Sequence, residues 1–348
     1  MSILGVTSMR NEAPYIVEWV AHHLAAGFDH LLILTHGNDD GSEALLDALE
    51  KTGRVTHLPF VTKTGGDKTV QWQAMKLADG HPRVKSADWV LFFDCDEFLC
   101  LADGVRHMDD LLSEMPEAAD AVALKWRLFG NGGEARWKKG LTPERFTRTA
   151  AEGIELPAAH FFKTLYRPRA FQKMGVHRPK RRKDEVPRWN LGGAQPMPPQ
   201  FAQNDGRINL YGLPFQEARG WLNHYSVRSA QEFMVKRQRG LPNKTEKRID
   251  LGYWAERNFN TVEDRAIEPM MATTRNMVSD LMALDGVLEA HEAGCAWHRE
   301  AFETLMQNEA EERMFWQLGL LAGSTAPAPE ETAAHLTRLA RLKAQGAA

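Results

Sequence analysis

The chain has 348 residues, a formal net charge of -3 and 43% hydrophobic residues, a composition that allows a globular protein to bury a large core. This charge excludes a general attraction to nucleic acid or anionic membranes. The three cysteines are too few and too poorly spaced for a disulfide framework or a zinc site, and neither a signal peptide nor an apolar run of about 18 residues is present. We therefore expect a cytoplasmic or membrane-peripheral protein with no integral membrane segment and no nucleic-acid partner.

The first part of the chain alternates between short apolar runs and amphipathic helical patterns. Asn11 and Ser42 are interpreted as caps of the first two helices. Alternating units of this kind predict an α/β fold with a doubly wound, mostly parallel sheet, whose ligands bind at the carboxyl ends of the strands. The predicted strands are 3–7, 31–35, 55–60, 88–93 and 121–129, and the predicted helices are 11–27, 42–53 and 69–78.

The composition changes twice after the last of these strands. Residues 130–220 are rich in Gly, Pro and aromatic residues, so we expect sparse regular structure there, with loops that serve as lids or binding walls. From Ser226 the pattern becomes helical, and the last residues form a tail containing Ala, Pro and Glu. The sequence thus predicts a domain at 1–225, a helical subdomain at 226–323 and a mobile tail at 324–348.

An apolar run from Trp89 to Phe93 ends abruptly in acidic residues. Asp94 and Asp96 lie two residues apart where this predicted strand leaves the sheet, so both carboxylates should face the same way. Such a pair can hold Mn²⁺ or Mg²⁺ and leave positions open for water and for the phosphates of a nucleotide. Acids here can also cap a helix or lie in a solvated turn, but their place in the βα array favours the cation site. Asp96 is the expected direct ligand, and Asp94 binds the cation, a metal-bound water or a sugar hydroxyl.

Further polar residues follow the first two predicted strands. Arg10, Asn11 and Glu12 come after the first strand, and Asp39 and Asp40 after the second, so both groups open onto the same edge of the sheet. They are candidates for nucleotide binding. The alternative interpretations are a capped helix start for the first group and an Asp-Gly turn for the second.

Two histidines are further candidates. His224 is a possible third protein ligand of the cation, although a single histidine is more often packed or on the surface. His177 precedes a dense basic run that begins at Arg178, and this cluster could dock a diphosphate or an anionic acceptor, or form a solvated loop.

Taken together, these segments resemble the GT-A glycosyltransferases of the family-two type, in particular the branch close to family ninety-two. The resemblance covers about residues 1–260. The chain departs from similar sequences at His36 and Gly37, where they tend to carry an Asn-Asp pair. The segments that carry the resemblance are Met9-Arg10-Asn11-Glu12, Asp39-Asp40-Gly41-Ser42, Asp94-Cys95-Asp96-Glu97-Phe98, Asn223-His224-Tyr225-Ser226 and Lys236-Arg237-Gln238-Arg239-Gly240.

The resemblance implies a GT-A domain at residues 1–225, a nucleotide-sugar donor, Mn²⁺ or Mg²⁺, and transfer with inversion to a glycan or other hydroxyl acceptor. By their places in the motifs, Asp96 would bind the cation, Asp94 the ribose or sugar, and Asp39 or Asp40 the nucleoside. Inversion needs a general base near the acceptor hydroxyl. The weak candidates for this base in the presumed acceptor region are Glu134, Asp184, Glu185 and Glu217.

The leading hypothesis is a metal-dependent transfer of a sugar from a UDP-linked donor to a glycan or cell-surface precursor. One alternative is a non-catalytic nucleotide- or glycan-binding module on the same fold, which the change at His36 and Gly37 keeps open. A sugar-phosphate nucleotidyltransferase is a weaker alternative, because it would have a Gly-rich loop with a basic residue straight after the first strand, and Thr7-Ser8-Met9-Arg10-Asn11 contains no glycine. An Asp-x-Asp phosphatase is discounted, because its acidic pair would come early in the chain and be followed by Thr or Val.

Overall fold

The computed structural model describes residues 1–63, 68–213, 218–240 and 249–345. The described strands are β1 (Ile3–Met9), β2 (His30–Thr35), β3 (Val55–Pro59), β4 (Trp89–Phe92), β5 (Glu97–Leu101), β6 (Ala121–Leu128), β7 (Arg148–Thr149), β8 (Phe162–Tyr166), β9 (Trp189–Leu191), β10 (Gln195–Pro196), β11 (Gly220–His224) and β12 (Val262–Glu263). The described helices are α1 (Ala13–Ala26), α2 (Ser42–Glu50), α3 (Val70–Gly80), α4 (Pro82–Ser86), α5 (Met108–Ser113), α6 (Thr142–Arg145), α7 (Pro199–Gln203), α8 (Ala230–Arg239), α9 (Leu251–Ala255), α10 (Glu268–Met282), α11 (Val287–Leu305), α12 (Glu309–Leu320) and α13 (Pro329–Ala344).

The first four strands form the parallel array that the sequence predicts. β1 pairs in parallel with both β2 and β4, and β2 pairs in parallel with β3, which gives the order β3-β2-β1-β4. The winding of the chain reverses between β1 and β4, and in such sheets ligands bind in the crevice beyond the carboxyl ends of these strands. The predicted α/β class, with a mostly parallel sheet and C-terminal helices, is confirmed.

The sheet continues beyond β4 with strands that lie further along the chain. β8 is antiparallel to both β4 and β6, while β9 and β10 extend the sheet beyond β6. The prediction of sparse regular structure between residues 130 and 220 is therefore wrong at β8, which lies between β4 and β6 in the sheet. Its partners are distant in the sequence, and no local pattern shows such pairing.

A side branch of the sheet carries the end of the acidic motif. β5 pairs antiparallel with β11, and β11 also pairs in parallel with β6. In this register Glu97 lies opposite His224. The pairing of β5 with β11 therefore brings the acidic motif and the predicted histidine ligand together.

Both predicted helix caps are wrong. Asn11 has a left-handed backbone (φ 50°), and Glu12 occupies the cap position of α1 without a side-chain hydrogen bond. Ser42 is the first residue of α2, and the cap position belongs to Gly41, whose φ of 82° suits glycine. The side chains of Asn11 and Asp40 each accept a backbone N–H bond from the other's loop. These bonds fasten the loop after β1 to the loop after β2.

Apolar side chains are buried on both faces of the sheet. Phe93 belongs to the cluster that includes α1, whereas its neighbour Phe92 belongs to the cluster on the opposite face, which includes α3. This alternation is what an extended chain buried on both faces requires. The run that ends at Asp94 is therefore anchored on both faces of the sheet.

The helices after β11 pack against the α/β part of the chain. α10 and α11 contact α1, and His22 Nδ1 lies 3.0 Å from Thr274 Oγ1 across this contact. A third apolar cluster, which includes Phe233 and Trp254, joins α8 and α9 to α11 and α12. Within the described ranges, none of the helices has the length and apolar character needed to cross a membrane.

Candidate active site

A cleft of about 900 Å³ opens at the carboxyl edge of the sheet, within the size range of ligand pockets. It is bounded by the ends of β1, β2 and β4 and by residues of α8 and α9. The predicted site residues that line it are Arg10, Glu12, Asp94, Asp96, His177 and His224. Lining residues that were not predicted as site residues include Ser8, His36, Gln71, Trp126, Phe161, Tyr253 and Arg257.

The acidic motif forms a tight turn. The Glu97 N–H donates to the Asp94 carbonyl at 3.0 Å, and the Asp94 N–H donates to Glu97 Oε2 at 3.0 Å. The indole N–H of Trp19 on α1 donates to the carbonyls of both Asp94 and Glu97, at 3.2 Å and 3.1 Å. Glu97 and α1 thus fix the backbone from which the two aspartates project.

The two carboxylate oxygens of Asp96 lie against different residues, a lysine and a histidine. Oδ2 accepts a hydrogen bond from Lys236 Nζ at 2.6 Å, while Oδ1 lies 3.5 Å from His224 Nε2. Burial alone would raise the pKa of Asp96, but the Lys236 ammonium and the His224 ring outweigh it and hold this pKa well below its usual range. Asp96 is therefore an ionised carboxylate with one oxygen directed at an imidazole.

Asp94 has a different environment. Oδ2 accepts from Lys163 Nζ at 2.8 Å, and Oδ1 accepts from Gln71 Nε2 at 3.2 Å. Burial would lower the pKa of Lys163, but the carboxylates of Asp94 and Glu97 raise it above its usual value. The Asp94 side chain is 34% exposed. It therefore reaches the cleft with both oxygens already holding one hydrogen bond each.

Three residues offer ligand atoms that all lie within 4.8 Å of one another: Asp96, Glu97 and His224. The predicted set contained Asp94 in place of Glu97. Glu97 Oε1 is buried without a hydrogen-bond partner, and burial holds the pKa of Glu97 well above its usual range. Carboxylate oxygen and imidazole nitrogen both suit Mn²⁺. The residues therefore fit a divalent cation, because one buried carboxylate oxygen lacks a hydrogen-bond partner and the nearby ligand atoms are of the kinds that such a cation prefers.

Cationic side chains line the cleft, and most of them have carboxylate partners among the described residues. Arg10 differs: its Nε donates to the Gly37 carbonyl at 3.1 Å, and it forms no ion pair with a described carboxylate. Arg10 thus has a charge available for an anionic ligand. The paired cations are Lys236 with Asp96, Arg237 with Glu311, Arg239 with Glu12 and Arg257 with Glu256.

An aromatic wall lies on the other side of β4 from Arg10. The His177 ring stacks on Phe161, with centroids 5.1 Å apart, and meets the edge of Trp126 at 5.5 Å. Trp126 in turn packs on His224 at 4.1 Å. His177 Nδ1 lies 3.0 Å from the Phe162 carbonyl oxygen. This wall gives the cleft an apolar, shaped side next to the acidic motif.

Four predicted nucleotide-binding residues do not line the cleft: Asn11, Asp39, Asp40 and Arg178. Asp40 is buried, where its Oδ2 accepts from the Ala13 N–H at 2.8 Å and lies 3.0 Å from His298 Nε2. Arg178 is also buried and donates to the carbonyls of Phe201 and Arg207 at 3.1 Å and 3.0 Å. Both side chains thus form these hydrogen bonds within the fold and away from the cleft.

The three base candidates that the structure describes are not brought to the cleft either. Glu134 forms ion pairs with Arg145 and Lys138, each at 3.0 Å, outside the cleft lining. Asp184 and Glu185 are exposed on a loop that does not line the cleft. Glu217 lies outside the described residues.

Some of the missed residues had a signal in the sequence. His36 directly follows a predicted strand, and Trp126 lies near the end of another, positions where ligand contacts are expected. Tyr253 and Arg257 carried no such signal, because they reach the cleft only through the packing of the C-terminal helices.

Comparison with known proteins gives one extensive family match. The profile of a family described as glycosyltransferase family 92 matches residues 3–256. A glycosyltransferase family 92 protein of rice, Oryza sativa subsp. japonica, is 28% identical over 174 residues, which cover 49% of this chain. The match covers 27% of the rice protein, so the chain spans about a quarter of that relative's length.

Solved structures resemble this chain only distantly. TarS 1-349 of S. aureus matches 88% of this chain and 92% of its own, with 13% identity and a TM-score of 0.34. The same protein solved in complex with UDP matches 48% of this chain and 47% of its own, with 16% identity and a TM-score of 0.30. A putative glucose-1-phosphate thymidylyltransferase of Bacillus anthracis matches 49% of this chain and 73% of its own, with 12% identity and a TM-score of 0.30. These likenesses are too distant to indicate a function.

Proposed function

Since this chain belongs to glycosyltransferase family 92, we propose that it transfers a sugar from a UDP-linked donor to a hydroxyl of a glycan or other cell-surface precursor, with inversion and with a divalent cation. The domain would have the GT-A arrangement of the family-two type. The observation that carries the proposal is the position of ionised Asp96 beside His224 in a cleft at the carboxyl edge of β1 and β4. In doubly wound sheets this is where nucleotides bind.

The described residues offer each part of such a donor a partner. Arg10 has an available charge for the diphosphate, which a guanidinium binds well. His36 lines the cleft after β2, next to where a nucleoside would lie in this fold. Asp94 reaches the cleft with acceptor capacity left for a sugar or ribose hydroxyl.

The cation, Mn²⁺ or Mg²⁺, would be held by Asp96 and His224, with Glu97 beside them. When bound, it would stabilise the negative charge that develops on the departing nucleoside diphosphate. Lys236 occupies only Oδ2 of Asp96 and leaves Oδ1 facing His224. The pairing with Lys236 therefore orients Asp96 without using up its ligand capacity.

We further propose that residues 1–225 form the donor-binding and catalytic domain, with 226–323 as a helical subdomain and 324–345, the described part of the tail, as a mobile segment that carries α13. Lys236 and Arg239, from the helical part, complete the cleft. Three unpaired, buried cysteines accord with a cytoplasmic location.

The proposal is tested by substitution of Asp96. In the wild-type protein, UDP should raise the melting temperature more strongly with Mn²⁺ than without it, because a ligand of the native state stabilises that state. Asp96→Ala should abolish the Mn²⁺-dependent part of UDP binding in calorimetric titration and the Mn²⁺-dependent hydrolysis of UDP-sugars. The matched control is Asp88→Ala, because Asp88 precedes the same strand at the opposite edge, where it binds Ser2.

Unchanged UDP binding and hydrolysis in Asp96→Ala would contradict the metal role. If the wild-type protein bound UDP with Mn²⁺ but turned over no UDP-sugar with any acceptor offered, the chain would be a nucleotide-binding module on this fold.

A further inference from the structure

The cleft needs a group that can accept a proton if a sugar is transferred with inversion. The carboxylates that line it all have cationic partners among the described residues: Glu12 with Arg239, Asp94 with Lys163, Asp96 with Lys236 and Glu311 with Arg237. His177 differs from these carboxylates, because it lines the cleft and belongs to no ion pair in the described part of the chain. His177 therefore offers unused acceptor capacity on the aromatic side of the cleft.

The structure determines which ring nitrogen of His177 is basic. Nδ1 lies 3.0 Å from the carbonyl oxygen of Phe162, and a carbonyl can only accept a hydrogen bond. In the neutral ring Nδ1 must therefore carry the proton, which leaves the lone pair on Nε2. His177 lines the cleft, and no described residue is hydrogen-bonded to Nε2. It is thus an acceptor open to the cleft.

The surroundings hold this ring in place. Phe161 stacks on one face at an interplanar angle of 23°, and Trp126 packs against it edge-on. The Thr164 hydroxyl donates to the His177 carbonyl at 2.7 Å and fixes its backbone to β8. A base must be held in a fixed geometry to be effective, and these contacts provide it.

The charge state agrees with this geometry. Burial lowers the pKa of His177 to about 4, and the nearby Lys163 ammonium acts in the same direction. The imidazole is therefore neutral at physiological pH. The Asp94 carboxylate favours the protonated ring, so it would stabilise the imidazolium that forms on proton uptake.

Building on the proposed function, we propose that His177 is the general base of the transfer reaction. The acceptor oxygen forms a bond to the anomeric carbon, and the bond from this carbon to the phosphate oxygen breaks, with its electron pair leaving on the diphosphate. The proton of the acceptor hydroxyl moves to His177 Nε2. In donor hydrolysis, water takes the place of the acceptor.

Hydrolysis provides a test that needs no known acceptor. Three donors are compared: UDP-glucose, UDP-galactose and UDP-N-acetylglucosamine. The one that raises the melting temperature of the wild-type protein most in the presence of Mn²⁺ is used as the probe. His177→Gln should lower kcat for its hydrolysis by about 10²- to 10⁴-fold, the usual contribution of a general base, with an unchanged Kd for UDP. His177→Gly should regain activity on addition of imidazole, which a purely structural role would not allow.

The matched control is His160→Gln. His160 also places a ring nitrogen against a backbone carbonyl, at 2.9 Å from that of Ile154, but it does not line the cleft, so its variant should keep full activity. If His177→Gln hydrolysed the probe as fast as the wild type, or lost UDP affinity in proportion to its activity, the assignment of the base would fall while the proposed function stood. If the wild-type protein bound UDP without turnover, or bound no UDP at all, both would fall.

Discussion

Two lysine–carboxylate pairs hold the acidic motif, one from the sheet and one from the helical region. Lys163 of β8 binds Asp94 at 2.8 Å, and its side chain is 0% exposed. Lys236 of α8 binds Asp96 at 2.6 Å, and its side chain is 12% exposed and lines the cleft. The chemistry of the pairs is the same, but access to water differs. The buried Lys163 charge is stabilised mainly by its carboxylate partner, whereas Lys236 can also contact water or a ligand in the cleft.

The largest effect is expected when the buried lysine loses its partner. Asp94→Ala should lower the free energy of unfolding by about 3 to 5 kcal/mol, the usual cost of leaving a buried charge, here Lys163, without its partner. The lower end is expected, because Glu97 Oε1 lies 3.7 Å from Lys163 Nζ and can take part of its charge. Urea denaturation measures the change.

The control for this prediction is the second pair. Asp96→Ala should cost less stability than Asp94→Ala, because Lys236 can be hydrated from the cleft. Adding Lys163→Met to Asp94→Ala should restore most of the loss, as a double-mutant cycle would show. Equal losses in the two single variants would refute the distinction between the pairs.

A buried acid that has no lysine beside it sharpens the comparison. Glu18 of α1 accepts from the Thr142 N–H at 2.7 Å, and burial, only partly offset by the Thr142 hydrogen bonds, raises its pKa from 4.5 to about 7. Because the charged form is disfavoured in the native state, Glu18 makes the free energy of unfolding fall as pH rises from about 4.5 to about 7. Above this range the penalty stays at its full size.

Glu18→Gln should therefore become more stable relative to the wild type as pH rises, by roughly 2 kcal/mol between about pH 5 and about pH 8. The amide can keep the bond from the Thr142 N–H. The measurement is the difference in unfolding free energy between the two proteins at each pH, which cancels the titration of all other groups. A difference independent of pH would show that Glu18 is ionised in the native state.

The sequence predicts the parts of this site that depend on local pattern. Asp96 follows a strongly apolar strand in a βα array, and the carboxyl edge of such a sheet is a ligand site wherever the strands lie. The α/β class follows from the same alternation. Asp40 shows the limit of this reasoning, because an acid in an Asp-Gly turn after β2 can face a ligand or bind Ala13, and the sequence does not distinguish the two.

Long-range pairing explains most of what the sequence does not show. Lys163 lies in a strand whose partners, β4 and β6, come from distant parts of the chain. The role inferred for His177 depends on the Phe162 carbonyl, whose position is set by the same strand. All the predicted candidates for the general base were acids. One of them, Glu134, forms an ion pair with Arg145 instead. In each case the partner, and not the residue type, decides the role.

The smallest predicted effect concerns the lysine that faces the cleft. Lys236→Gln removes a positive charge 2.6 Å from Asp96 Oδ2, and like charges oppose a cation on the same carboxylate. We expect Mn²⁺ to bind this variant about tenfold more tightly in the absence of nucleotide, equivalent to about 1.4 kcal/mol. Electron paramagnetic resonance of free Mn²⁺ during a titration measures this change in affinity. The control is Lys76→Gln, because Lys76 is exposed. Weaker Mn²⁺ binding would mean that Lys236 acts chiefly by orienting Asp96, as Lys163 does for Asp94, and the two pairs would then be alike in function.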